Sequence, residues 1–237
     1  MSVQHEHHRE DHRNLQGGAA RAAVFGVSDG LVSNVSLILG MAGADSSQGL
    51  VRVAGLAGLV AGAVSMAAGE YVSMQAQREL LERELAIERR ELRVHPQREI
   101  AELTEIYTSR GVDEHVAAQM ARGVMADPEQ ALEAHAREEM GVDPSELGNP
   151  VGAAVTSFLA FAVGALLPLL PWFFGGGTAA VIASVVLGLL GALGVGLAVG
   201  VATGRSRTRA AVRQVAIAAA AAAITYGIGS AGGAEVG

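Results

Sequence analysis

The sequence of 237 residues contains no cysteine and no lysine. Without cysteine, disulfides, thiolate zinc sites and thiol redox motifs are excluded. A metal ion must therefore be held by Glu, Asp, His, Met or backbone oxygen. All 17 side chains counted as basic are arginines, and the formal net charge is −7. This charge argues against nucleic acid as a partner, because binding phosphates requires a basic surface.

Charged side chains are also scarce and unevenly distributed. They make up 17% of the chain, whereas soluble domains carry roughly a quarter. Most of them lie between residues 78 and 146, and residues 151–202 carry none. Together with a mean hydropathy of +0.33, this pattern predicts membrane segments that flank one polar domain.

Five apolar segments reach the ~20 residues that a helix needs to cross a hydrocarbon core. They cover about residues 19–41, 50–74, 150–170, 178–203 and 210–230. We therefore predict an all-α membrane protein with five transmembrane helices and a cytosolic three-helix acidic metal-binding domain between helices 2 and 3. Its parts are a flexible His-rich tail (1–18), transmembrane helices 1–2 (19–74), the metal-binding domain (75–148) and transmembrane helices 3–5 (149–237).

The arginines that flank the apolar segments predict the orientation, since basic residues favour the cytosolic side. They precede the first segment and lie around the turn between the fourth and fifth, whereas the loops at residues 42–49 and 172–177 contain none. Five spans then place the N-terminus and the polar domain in the cytosol and the C-terminus outside. The aromatic side chains of Trp172, Phe173 and Phe174 are expected to anchor the outer interface.

Helix-breaking residues divide the polar domain into three predicted helices. The helix that continues the second membrane segment should stop before Pro96, because proline disfavours helix in the residue that precedes it. The predicted helices cover residues 75–94, 96–109 and 113–140, the last interrupted at 127–128.

Asp29 lies near the middle of the first apolar segment. A carboxylate at that depth costs about 2.5–3.5 kcal/mol even on the lenient insertion scale. We interpret it as a cation or proton site that faces away from lipid. The alternative is a structural hydrogen bond to Ser33 or Asn34.

In the second segment, Met66, Glu70 and Met74 follow each other at four-residue spacing and share one helix face. Thioether and carboxylate together suit Fe²⁺ or Mn²⁺ more than Mg²⁺ or Ca²⁺, which prefer oxygen alone. Packing alone is the alternative for the methionines. Glycines at four-residue spacing in the second and fourth segments favour close helix approach, although glycine is common there.

The polar domain carries the denser signal for metal binding. Two ExxE pairs, each with both carboxylates on one helix face, are followed by a His and two Glu on a later helix. These candidate ligands are Glu88, Glu91, Glu99, Glu102, His135, Glu138 and Glu139. A break at Pro96 lets the two ExxE helices fold back on each other. The alternative is a solvated face in which neighbouring arginines compensate the carboxylates.

Taken together, these motifs resemble the vacuolar iron transporter family over about residues 21–230. The resemblance is carried by FGVSDGLVSN (25–34), GLAGLVAGAVSMAAGEYVS (55–73), the double ExxE run (88–102), HAREEMG (135–141) and the NP pair (149–150). The DG, SMAxGE and ExxE elements are unrelated signals that rarely coincide by chance.

The resemblance implies a homodimer of five-helix protomers that exchanges cytosolic Fe²⁺ for protons along a path between the protomers. By position, Asp29 and Met66 would be pathway ligands, with Glu70 beside them. The collecting domain would bind metal through Glu88, Glu91, Glu99, Glu102 and Glu139. At the position of His135, plant-like members place a Met, which bears on metal preference.

We therefore expect a transporter and not an enzyme: an exporter of Fe²⁺ or Mn²⁺ by proton antiport in a prokaryotic plasma membrane. Its expected partners are membrane lipid, divalent metal ions, protons and a second copy of the chain. No prosthetic group is expected, and Zn²⁺ is a further candidate occupant of the cytosolic site. One rival has Mn²⁺ as the main ion, because availability decides much of metal selectivity. Another is a membrane-anchored ferroxidase or iron store, whose paired Glu-x-x-His motifs the insert lacks.

Overall fold

A computed structural model describes residues 18–145 and 147–236. Residues 1–17 of the predicted tail, with His5, His7, His8 and His12, lie outside the described residues. Within the described ranges the chain is α-helical and contains no strand. The helices are α1 (Gly18–Gly43), α2 (Gln48–Val94), α3 (Pro96–Ser109), α4 (Glu114–Val124), α5 (Pro128–Glu138), α6 (Pro150–Leu169), α7 (Pro171–Phe174), α8 (Gly177–Ala202) and α9 (Arg207–Val236).

Five of these helices, α1, α2, α6, α8 and α9, are long and apolar enough to cross a membrane. They coincide with the five apolar segments, so the prediction of an all-α chain with five helices long and apolar enough to cross a membrane is confirmed for the described residues. Helix α2 extends over 47 residues, because no helix-breaking residue follows its apolar part until the His95–Pro96 pair.

The chain divides into two compact units. Of the described residues, the first unit comprises 18–71 and 151–236, and the second comprises 72–145 and 147–150. Helix α2 therefore contributes its apolar part to the first unit and its charged part to the second.

Close helix approach in the first unit depends on glycine. A Cβ on Gly30 of α1 would collide with the backbone of Phe161 in α6. On α8, Cβ atoms on Gly196 and Gly200 would come within 2.5 Å of Ala211 and 2.6 Å of Arg207 on α9. Since real Cβ contacts are much longer, these glycines set how closely the helices pack.

The loop helix α7 differs from the sequence expectation. Trp172 is only 2% exposed, and its Nε1–H donates to Ser184 Oγ at 2.9 Å, which in turn donates to the Pro168 carbonyl at 2.7 Å. Phe174 is 89% exposed. Trp172 therefore joins α7 to the core, and the interface prediction was wrong for this residue because an aromatic run does not reveal which ring turns inward.

The second unit follows the helix-breaking residues of its sequence. Asp113 and Asp127 accept hydrogen bonds from the first backbone N–H groups of α4 and α5, and Pro128 occupies the first turn of α5. The predicted interruption is thus a full break, and the third predicted helix is two helices. A core that includes Leu85 of α2 and Leu132 of α5 holds the unit together.

Candidate metal-binding sites

A cavity of about 300 Å³ lies among α1, α2 and α6 of the first unit. Its walls combine apolar positions with a carboxylate, two hydroxyls, an amide and a thioether. The lining residues are Asp29, Ser33, Asn34, Leu37, Gly58, Gly62, Ser65, Met66 and Phe161. Asp29, Ser33 and Ser65 are exposed at the surface of the single chain, so the cavity is open on their side.

The structure brings Asp29 and Met66 to this one cavity. Ser33 Oγ donates to the backbone carbonyl of Asp29 at 2.6 Å, and Asn34 Nδ2 donates to the carbonyl of Ala165 at 2.7 Å. Among the described residues, neither side chain bonds the Asp29 carboxylate. The structural hydrogen bond that was the alternative explanation of Asp29 is therefore not present there.

Glu70 has a cationic partner instead of lining the cavity with Met66. Its Oε2 lies 3.2 Å from an Nη atom of Arg21, and its side chain is only 13% exposed whereas that of Arg21 is 63% exposed. The ion pair joins the start of α1 to α2. Met74 lies in the second unit, where its methyl group would touch a Cβ placed on Gly148.

A second constellation, hereafter the acidic cluster, surrounds His135 in the second unit. The His135 side chain is fully buried, and its Nδ1 lies 3.2 Å from Glu88 Oε1, 3.7 Å from Glu99 Oε2 and 3.9 Å from Glu139 Oε2. Three helices, α2, α3 and α5, place these side chains, with Glu139 at the end of α5. Single ligand atoms from Glu88, His135 and Glu139 all lie within 4.8 Å of one another.

Burial and mutual repulsion shape the protonation of this cluster. Burial, followed by the charges of Glu139 and Glu99, raises the pKa of Glu88 to about 7. Burial, followed by Glu102, also raises the pKa of Glu99 and of Glu139. Burial lowers the pKa of His135. The imidazole is therefore neutral at pH 7, and its approach to Glu88 is not an ion pair.

The remaining predicted ligands occupy different positions. Glu102 acts electrostatically on Glu88, Glu99, Glu139 and His135, which places it at the cluster. Glu91 raises the pKa of Glu88 and also lies 3.9 Å from the His95 ring. Glu138, by contrast, forms an ion pair with Arg110. Of the two adjacent carboxylates at the end of α5, Glu139 thus lies near His135 and Glu138 pairs with Arg110.

The donor set of the acidic cluster fits a divalent cation. Both ring nitrogens of His135 and Glu88 Oε1 are buried without a hydrogen-bond partner among the described residues, which is costly unless a further ligand is bound. Nitrogen and oxygen ligands lie ~2.1 Å from a bound metal ion such as Zn²⁺. The ligand atoms of Glu88, His135 and Glu139 lie within 4.8 Å of one another, so their side chains must move closer together to bind one ion, and a neutral imidazole has a lone pair free for the metal.

Two residues at these sites were not predicted as functional from the sequence. Arg21 was noted only as a flanking charge, and no sequence signal pairs it with Glu70, which is 49 positions away. Asn34 was considered only as a hydrogen-bond partner for Asp29. Its signal in the sequence was an amide within a long, mainly apolar segment.

The sequence matches the VIT family over residues 20–230. It is 38% identical over 193 residues to a protein named vacuolar iron transporter from Acanthamoeba castellanii, a match that covers 78% of this chain and 70% of that protein. It is 32% identical over 232 residues to vacuolar iron transporter 1 of Oryza sativa subsp. japonica, covering 97% and 92%. To vacuolar iron transporter 1 of Arabidopsis thaliana it is 32% identical over 185 residues, covering 78% and 74%.

The match reaches into all five of the described helices that are long enough to cross a membrane, and these relatives are covered over most of their length. The chain therefore belongs to the VIT family, as the resemblance of its motifs predicted.

Proposed function

We propose that this protein is a multi-pass membrane transporter that exports divalent iron or manganese from the cytosol in exchange for protons. Membership of a family whose curated relatives are named vacuolar iron transporters supports metal transport. Its five long apolar helices support a multi-pass membrane protein. The choice of ion, the coupling to protons, the direction and the plasma membrane are parts of the proposal.

One observation carries the proposal: Asp29 and Met66 line the same cavity between helices long enough to cross a membrane. A carboxylate within an apolar helix is expensive and is typical of an ion or proton pathway. The thioether adds a softer ligand, which favours Fe²⁺ or Mn²⁺ over Ca²⁺ and Mg²⁺. We assign Asp29 and Met66 as ligands of the ion in transit, and Glu70 as a nearby pathway residue whose charge Arg21 balances.

The acidic cluster would collect the ion before transport. Glu88, His135 and Glu139 would provide the first ligands, and Glu91, Glu99 and Glu102 would add negative charge around them. Fe²⁺ or Mn²⁺ is the proposed cargo, and Zn²⁺ is expected to bind the same donors. No prosthetic group is required for this function.

Competition between metal and protons gives the proposed coupling. A carboxylate must be deprotonated to hold a metal ion, so binding releases protons and protonation releases the metal. Metal from the cytosol would bind Asp29, and protons from the more acidic outer side would displace it. Asp29 therefore alternates between the metal-bound and the protonated state, and a charged, empty carboxylate in the membrane is avoided.

We also propose a homodimer. Asp29 is exposed on the single chain, and a carboxylate against lipid carries the same insertion cost. A second copy over the open side of the cavity would remove Asp29 from lipid and would bring two carboxylates and two thioethers to one path.

Metal uptake into proteoliposomes tests the proposal. With an acidic lumen, the wild type should accumulate Mn²⁺ and anaerobic Fe²⁺, and Asp29→Asn should abolish the gradient-dependent flux. Asp45→Asn is the matched control, because Asp45 is an exposed carboxylate in the turn after α1 and does not line the cavity. Absence of flux with both ions, together with iron oxidation by the purified protein, would instead support a membrane-anchored ferroxidase.

The natural absence of cysteine permits a direct test of orientation. Single cysteines at Ser46, in the turn after α1, and at Ser109, at the end of α3, should react differently with a membrane-impermeant maleimide on intact cells. Labelling at Ser46 alone supports a cytosolic second unit, and labelling at Ser109 before permeabilisation rejects it.

A further inference from the structure

The cavity in the first unit is lined by a side-chain amide, that of Asn34, which has no role in the transport mechanism proposed above. Asn34 lies on α1 and lines the same cavity as Asp29 and Met66, although only 2% of its surface is exposed. A buried amide in an apolar helix is expensive unless both of its ends are paired.

One end of the Asn34 amide is fixed. Its Nδ2 donates to the backbone carbonyl of Ala165 on α6 at 2.7 Å. Because a carbonyl only accepts hydrogen bonds, the group facing Ala165 must be the nitrogen. The amide oxygen is therefore turned away from α6 by a bond that also keeps the side chain in place.

The other end of the amide has no protein partner. Asn34 Oδ1 is buried and has no hydrogen-bond donor among the described residues. Native proteins rarely leave a buried acceptor unpaired, and such groups are often explained by a bound ion or water.

The neighbouring helix leaves space in front of this oxygen. Gly58 of α2 lines the cavity opposite Asn34, and a Cβ at that position would lie 3.1 Å from Asn34 Oδ1. Any larger side chain at position 58 would cover the oxygen. The glycine thus leaves no side chain of α2 against Asn34 Oδ1, beside the cavity that Asp29 and Met66 share.

We propose that Oδ1 of Asn34 is a third protein ligand of the transported ion, beside the Asp29 carboxylate and the Met66 thioether. This inference rests on the proposed transport function. Amide and carboxylate oxygens are the ligands that Mn²⁺ prefers, whereas thioethers favour softer ions. A second oxygen therefore makes the donor set harder and shifts its preference toward Mn²⁺ and Fe²⁺ and away from Zn²⁺. Asn34 is then a specificity-determining residue.

Two variants should prevent the amide oxygen of Asn34 from binding the ion, in different ways. Asn34→Leu deletes the amide and keeps a side chain of similar size. Gly58→Ala keeps Asn34 and its bond to Ala165 and places a Cβ 3.1 Å from the oxygen. The same Cβ would lie 2.5 Å from Leu37 Cδ2, the end of a flexible side chain that must move aside, and alanine is a better helix former than glycine. Gly49→Ala is the matched control, because Gly49 is also on α2 and a Cβ there has no neighbour within 4 Å.

The experiment measures Mn²⁺ uptake by full-length protein in proteoliposomes, with Zn²⁺ as a competing ion. Each variant should raise the KM for Mn²⁺ by about tenfold or more, the scale on which metal sites respond to loss of a supporting group. The inhibition constant of Zn²⁺ should change much less, so the preference for Mn²⁺ over Zn²⁺ falls. Gly49→Ala should match the wild type in both constants.

Two results overturn the proposal: unchanged KM for Mn²⁺ in folded variants, or equal shifts for Mn²⁺ and Zn²⁺, which indicate a merely structural role. If Asn34→Leu does not fold, Gly58→Ala decides alone. Asp29→Asn in the same assay distinguishes failure of the proposed transport pathway from failure of the proposed role of Asn34. If Asp29→Asn keeps its flux, the proposed transport pathway fails, and if it loses flux while Gly58→Ala is normal, only the role of Asn34 fails.

Discussion

Replacing His135 with leucine should stabilise the metal-free protein locally and abolish its response to metal. In the wild type the imidazole is fully buried, and both ring nitrogens lack hydrogen-bond partners among the described residues. Leucine has a similar size and no polar atom to leave unpaired. The native histidine is therefore explained by a ligand that it binds and not by the stability of the empty fold.

The magnitude follows from the cost of an unpaired polar group. A buried donor or acceptor without a partner costs about 1–3 kcal/mol. Replacing the unpaired imidazole on α5 should lower the equilibrium constant for local opening by roughly tenfold to a hundredfold, since ~1.4 kcal/mol corresponds to a factor of ten. For the wild type, a metal ion at a hundred times its dissociation constant stabilises the bound state by about 2.7 kcal/mol, which is again about a hundredfold.

Amide hydrogen exchange of the full-length protein in detergent measures both effects. The peptide that covers α5 (Pro128–Glu138) should exchange more slowly in metal-free His135→Leu than in the metal-free wild type. Addition of Mn²⁺ should slow exchange of this peptide in the wild type and leave the variant unchanged. His115→Leu is the matched control, since His115 is an exposed imidazole on α4, outside the acidic cluster, and should keep the full response to Mn²⁺.

Protection by Mn²⁺ in His135→Leu equal to that in the wild type would refute the reasoning. So would faster exchange of α5 in the metal-free variant, because it would mean that the imidazole stabilises the empty fold.

Four further predictions concern protonation, the ion pair and helix packing. Because the pKa of Glu88 is raised from 4.5 to about 7, calorimetry should show weaker Mn²⁺ binding and more proton release as pH falls below about 7. For the same reason, the contribution of Glu88 to the stability of the metal-free protein should decrease as pH rises from 4.5 to about 7, because its carboxyl holds the extra proton in the folded state. Arg21→Gln should free Glu70 and lower the KM for Mn²⁺ uptake by no more than about fivefold, since the pair is partly exposed. Gly30→Ala should cost about 1–3 kcal/mol by pushing α1 off α6, which heated size-exclusion chromatography detects as earlier loss of the folded peak. Gly69→Ala, where a Cβ has no neighbour within 4 Å, should behave like the wild type.

The helices could be predicted closely because their limits are local. Apolar length predicted the five long helices, and Pro96 and the Asp127–Pro128 pair predicted the breaks in the second unit. The family could be recognised because its motifs are contiguous in the sequence. Each of these features depends only on a contiguous stretch of the sequence.

The orientations of side chains could not be predicted, because they depend on residues far apart in the chain. Adjacent Glu138 and Glu139 look equivalent in the sequence, yet one pairs with Arg110 and the other approaches His135. The orientation of Asn34 is set by a carbonyl 131 positions away. The spacing along α2 grouped Glu70 with Met66, whereas in the structure Glu70 forms an ion pair with Arg21 of α1.

Simultaneous recording of Mn²⁺ uptake and lumenal pH in proteoliposomes tests the central claim most directly. With an acidic lumen, exchange of metal for protons predicts that the lumen becomes more alkaline in proportion to the Mn²⁺ that enters. It also predicts that both signals disappear in Asp29→Asn. Mn²⁺ entry that proceeds equally fast without a pH gradient, and without any change in lumenal pH, would contradict proton exchange.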